Sequence, residues 1–120
     1  MTALLLAGVG WLLMALGAPQ PAAAQAGDGR VMYETGCSSC HGLEGEGTRL
    51  GPPLIGVGAA AADFYLSTGR MPLDEPRAQA VRKPPAYSPA QIRAITAYVA
   101  GLGGGPAIPA VAPQAGDLAL

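Results

Sequence analysis

The hydrophobic and polar positions divide the 120-residue chain into parts with different periods. From Met1 to Gly27 there is no charged side chain, and Leu4 to Leu16 is dense in Leu, Val, Trp, Met and Ala. Pro19, Pro21 and the small residues Ala22-Ala23-Ala24-Gln25-Ala26 come next. This pattern predicts a signal peptide cleaved after Ala24 or Ala26, or a membrane anchor, over residues 1–26. The apolar run to Ala18 approaches the roughly 17 to 25 residues that span a bilayer as a helix. Both readings export the rest of the chain. Met1-Thr2-Ala3 lacks the basic residues that usually open such a segment, so a longer, positively flanked start is expected upstream.

Past the leader the period changes to that of helices. Asp28 is placed to cap a short helix through Arg30, Val31, Met32, Tyr33 and Glu34 that runs into Cys37. A second helix is predicted over Gly58 to Thr68, Ala-rich and carrying Phe64, Tyr65 and Leu66, with Gly69 where a left-handed C-terminal cap belongs. The third has the fullest start signal: Ser88 at the N-cap, Pro89 at the first helical position and Gln91 three residues after the cap. Ile92, Ile95, Val99 and Leu102 then recur at helical spacing with Tyr98 beside them, a single apolar stripe that Gly103-Gly104-Gly105-Pro106 ends.

Between the helices run Gly- and Pro-rich loops, Gly42 to Gly58 and Met71 to Tyr87, with no alternating strand pattern of useful length. The predicted fold is all-α, three main helices joined by long loops. Loops of this length are uncommon in a small domain unless they wrap something or act directly. The formal charge of −1 gives no basic footprint, which argues against a nucleic-acid partner. Past the leader there is one Phe and no Trp, so the core is modest and a domain of this size gains from a metal, disulfide or cofactor.

Both cysteines and the only histidine lie in Gly36-Cys37-Ser38-Ser39-Cys40-His41-Gly42. A structural zinc site wants four ligands, usually from two clusters, and there is no second cluster. A thioredoxin-type dithiol wants a strand before it and a βαβ setting. A Cys37–Cys40 disulfide closes a loop too small to constrain much. A covalent haem c uses every part of the motif: Cys37 and Cys40 form thioethers to the two vinyl groups, and His41 becomes the proximal iron ligand.

If His41 takes one axial position, the other needs a second ligand, and no second His exists. Met1 and Met14 belong to the leader, and Met32 precedes the motif on the same short helix. Met71 is left, in Ser67-Thr68-Gly69-Arg70-Met71-Pro72-Leu73, a helix end followed by a Pro-stiffened loop. Leu54, Ile55, Leu66, Ile95 and Val99 are expected to bury the haem. Arg82 and Lys83, with Tyr87 beside them, are candidates to neutralise its propionates. Glu44 and Glu46 are either partner-docking charges or a solvated loop.

At these residues the chain resembles class I cytochromes c: the Cys-Ser-Ser-Cys-His motif, Gly51-Pro52-Pro53-Leu54, Gly69-Arg70-Met71-Pro72, and the C-terminal helix bearing Tyr98. More narrowly, CSSCHG, GPPLIGVG, STGRMP, RKPP and GGGP in this order are similar to the first haem domain of the dihaem cytochrome c subunit of actinobacterial cytochrome bc complexes. The resemblance spans roughly residues 28 to 107. It implies a cytochrome c fold around one haem c, and it implies that the Pro52 carbonyl accepts the hydrogen bond of the other His41 ring nitrogen.

Members of that family carry a second haem domain and a C-terminal membrane helix. The expected organisation here is the leader at 1–26, a cytochrome c domain at 27–105 and a Pro/Ala linker at 106–120. Ala26-Gly27-Asp28 recurs as Ala115-Gly116-Asp117, where a second domain would begin, so a further Cys-x-x-Cys-His is expected past Leu120. The implied function is single-electron transfer within a membrane quinol–cytochrome c reductase, outside the cytoplasmic membrane. Cytochrome b, an iron-sulfur subunit and an oxidase are its implied redox partners, and the domain has no substrate site of its own. The alternatives are an independent exported monohaem shuttle or the cytochrome subunit of a dehydrogenase.

Overall fold

The computed structural model describes residues 27–110, so the leader at 1–26 and the Ala115-Gly116-Asp117 repeat lie outside the described residues. Among the described residues four helices occur in order: α1 (Gly29–Gly36), α2 (Ser38–His41), α3 (Gly58–Ser67) and α4 (Pro89–Ala100). Among the described residues there is no strand.

The first predicted helix is two. Asp28 caps α1, its side chain accepting from the Arg30 amide at 2.8 Å, and Arg30 pairs with Glu34 one turn on. The regular run stops at Gly36, and Cys37 departs from helical geometry at φ −125°, ψ −33°. The Cys40 and His41 amides both turn back to the Cys37 carbonyl, at 3.2 and 3.0 Å. The motif is therefore its own turn of helix. Gly36, a poor helix former, is where the two separate.

The other two helices obey their sequence signals. α3 ends with the Gly69 amide on the Leu66 carbonyl and Gly69 at φ +66°, the left-handed cap expected. On α4 the capping box is complete: Ser88 Oγ accepts from the Gln91 amide at 3.3 Å, and the Gln91 side chain accepts from the Ser88 amide at 2.9 Å. The helix closes at Ala100, a little before the glycine run, and Leu102 packs at the edge of the core from the turn beyond.

α4 is the centre of the fold, packed against both α1 and α3. Its stripe supplies Ile92, Ile95 and Val99, which meet Tyr33 of α1 and Leu66 of α3 in the buried core. Each buried aliphatic side chain contributes about 1.5–3 kcal/mol relative to exposure. α1 crosses α4 at Gly29, where a Cβ would stand 2.1 Å from the Ala94 carbonyl oxygen. Only glycine lets the two backbones come so close. Beside that crossing the Tyr33 and Tyr98 rings stack at 5.1 Å, tilted by 46°.

Candidate functional site

The site is built from the end of α1, the α2 turn and the loop that wraps back over them. The Gly47 amide bonds the His41 carbonyl, and the Leu54 amide bonds the Gly45 carbonyl. Thr48 acts as a stitch: its hydroxyl donates to the Cys40 carbonyl at 2.7 Å and accepts from the Leu50 amide at 2.9 Å. This folding-back brings the Pro52 carbonyl to 2.8 Å from His41 Nδ1. A carbonyl only accepts, so Nδ1 carries a proton, and Nε2 is the nitrogen left for another partner.

His41, Cys37 and Met71 line one apolar cavity of about 300 Å³, together with Leu54, Leu66, Ile95 and Val99. Tyr33 and Tyr65 complete the wall, along with Val57, Pro52 and Pro53. Among the described methionines Met71 is in the wall and Met32 is not. Met71 is presented by the loop leaving α3, its amide bonded to the Tyr65 carbonyl at 3.0 Å. Cys40, half-buried, stands on the α2 turn one residue before His41.

Some expected residues lie elsewhere. Ile55 is not in the cavity wall; its side chain is 54% exposed and lies beside Gly103. Of the Leu54–Ile55 pair, Leu54 takes the inner position. Phe64 is half exposed and carries the Arg70 guanidinium over its ring at 4.8 Å. Arg82 and Lys83 do not line the cavity. Arg82 is exposed and without a partner among the described residues, whereas Lys83 Nζ pairs with Asp74 Oδ2 at 2.8 Å. Tyr87 packs at the edge of the core without reaching the cavity. Glu46 turns inward on its own loop, accepting from the Glu44 amide at 2.8 Å, and Glu44 is exposed.

The buried Tyr33 hydroxyl escaped sequence reasoning. It donates to the Gly42 carbonyl at 2.8 Å, tying α1 to the residue after the motif. Burial pushes its phenol up to about 12. The one available signal was spacing, since Tyr33 lies one helical turn before Cys37 on the same face.

The donor set decides what this cavity suits. Two thiols spaced for a porphyrin edge, an imidazole with a fixed free nitrogen and a thioether in an apolar wall fit a covalent haem c. Burial, with a smaller contribution from Cys40, pushes the Cys37 thiol up, so the unmodified cysteine is held as a protonated thiol. Among the described residues no three His, Cys, Asp or Glu side chains converge as a metal-binding group.

A class of protein is thereby defined, a small helical domain wrapped around a covalent haem. The family model for cytochrome c matches residues 26–103, and the chain belongs to the cytochrome c family, with haem c as its cofactor. A Corynebacterium efficiens protein named cytochrome bc1 complex cytochrome c subunit is 46% identical over 94 residues, covering 78% of this chain and 31% of that protein. The Mycobacterium tuberculosis protein of the same name is 52% identical over 81 residues, 67% of this chain and 29% of the relative. The Corynebacterium diphtheriae protein, also of that name, is 49% identical over 82 residues, 68% and 29% of the two chains. The matched stretch is thus less than a third of the length of these curated relatives.

Proposed function

We propose that this domain passes single electrons through haem c held by Cys37, Cys40, His41 and Met71, as part of the cytochrome c subunit of a membrane quinol–cytochrome c reductase. Haem with both axial positions taken by protein supplies one-electron transfer and offers no open position to a substrate. The observation that carries the reading is the His41–Pro52 hydrogen bond, which fixes the ring of a residue that lines the same apolar cavity as Met71. With haem c bound, a Met71 thioether ligand and the surrounding Leu54, Leu66, Ile95 and Val99 would both favour the less charged, reduced form and so raise the potential. Of the two candidate cations Arg82 and Lys83, Arg82 is the one left to neutralise propionates, since Lys83 is engaged by Asp74.

The named relatives support the assembly. A domain of that kind works outside the cytoplasmic membrane beside a cytochrome b and an iron-sulfur subunit, relaying electrons towards an oxidase. The apolar segment at residues 1–26 exports the domain or holds it at the bilayer, and tethering replaces diffusional encounter by a fixed effective concentration. Among the described residues no helix is long and apolar enough to cross a membrane. Purification from native membranes in mild detergent tests the reading. The haem-loaded chain should co-purify with a cytochrome b and an iron-sulfur subunit and be reduced by quinol in that preparation. A haem protein recovered free of both subunits, and silent to quinol in the membrane, contradicts it.

A further inference from the structure

The sequence pairs Ser67-Thr68-Gly69-Arg70-Met71-Pro72 with Arg82-Lys83-Pro84-Pro85, and in the fold the two segments touch. The Lys83 amide donates to the Thr68 carbonyl at 3.1 Å. A Cβ on Gly69 would stand 2.0 Å from the Lys83 carbonyl oxygen, so the two backbones are in direct contact. From the other side of Met71, Lys83 Nζ donates to Asp74 Oδ2 at 2.8 Å and to the Pro72 carbonyl at 3.4 Å. Lys83 therefore grips the chain before Met71 with its backbone and after Met71 with its ammonium. Otherwise the loop is tied to α3 by the Gly69 and Met71 amides, on the Leu66 and Tyr65 carbonyls.

We propose that Lys83 is a positioning residue for Met71, a strut between the two segments that keeps the thioether in the cavity wall. The proposal rests on the reading of Met71 as the axial ligand. A compact ammonium with three donors suits the place, because it serves a carbonyl and a carboxylate together. Any external ligand competing for the Met71 position must first lift this loop. Its apparent affinity is then set by the fraction of molecules in which the loop is open, and removing the strut raises that fraction.

The test is an imidazole titration of the ferric full-length holoprotein, monitored by loss of the near-infrared sulfur-to-iron charge-transfer band. Lys83→Ala should bind imidazole about threefold to tenfold more tightly than wild type, the range expected for a partly exposed, charge-assisted contact. Lys83→Arg should recover most of the difference, and Asp74→Asn should shift affinity the same way by less. Asp74 is exposed, so Asp74→Asn carries the test if Lys83→Ala fails to load haem. Arg93→Ala removes an equal charge from the exposed face of α4 and should behave as wild type. Wild-type affinity in both Lys83→Ala and Asp74→Asn overturns the strut, as does equal tightening in Arg93→Ala. A wild-type protein without the band instead overturns Met71 ligation and the strut with it, a result separable from the first because it appears before any imidazole is added.

Discussion

His41 has its donor atom chosen by a carbonyl. With Nδ1 held by Pro52, the ring has one nitrogen left to offer and one orientation in which to offer it. Met71 is the matching prediction: Met71→Leu should abolish the sulfur-to-iron band of the ferric protein while leaving haem attached. Retention of the band would assign the second axial position elsewhere. Tyr33 gives a prediction of another kind. The folded protein holds the phenol proton up to about pH 12 because of burial, whereas an unfolded tyrosine releases it near pH 10. The stabilisation is therefore complete below about pH 10 and is lost as the pH rises through about 12. Tyr33→Phe should flatten that alkaline decline and cost about 1 kcal/mol at neutral pH through the lost bond to Gly42, measured by urea denaturation at a series of pH values. The cysteines and histidine were legible in the sequence because their spacing is itself the chemistry. The pairing of Lys83 with Asp74 was not, because an ion pair across one long loop leaves no period in the sequence.

At the scale of elements, the start of α4 and its stripe through Val99 were legible since cap, proline and period agree, whereas its end at Ala100 falls before Leu102 and the glycine run. Ser88→Ala removes one partner of the capping box and should lower stability by about 1 kcal/mol in thermal unfolding of the holoprotein. Gly29→Ala should cost more, about 1–3 kcal/mol, because the added methyl meets the Ala94 carbonyl across the helix crossing. Nothing in the sequence marked Gly29 as a crossing point. The break between α1 and α2 was equally hidden, since Cys37 continues the hydrogen-bonding of α1 to Tyr33 while departing from its dihedrals. The loop after the motif carries its own acid-sensitive tie. Backbone amides of Glu46, Glu44 and Leu43 hold the Glu46 carboxyl below the usual carboxylate range. The support it gives is present above the ordinary glutamate range and is lost as the pH falls through the lowered value. Glu46→Gln should weaken the pH dependence of unfolding on the acid side and leave the alkaline side alone.

At the scale of the molecule, five apolar side chains form the buried core among the described residues, and a larger ring of partly buried residues surrounds the cavity beside it. A core so small gives a chain of this length limited stability by itself, which makes the cofactor part of the fold. The long loops that looked unstructured in sequence are the wall of that site: one carries Pro52 to His41, and the other presents Met71. Their length indicated that they wrap something and elimination among the methionines indicated Met71, whereas the Pro52 contact, made between distant segments, was indicated beforehand only by the resemblance to class I cytochromes c. The proposed electron transfer by this domain rests on covalent attachment of haem at Cys37 and Cys40. The most direct test is the alkaline pyridine spectrum of the exported, purified polypeptide after unattached haem has been extracted with acidified acetone, for wild type and for the Cys37→Ala, Cys40→Ala double variant. Covalent attachment predicts a c-type haemochrome, one haem per chain, retained by the wild-type polypeptide and absent from the double variant. A wild-type polypeptide left colourless by the extraction would contradict it.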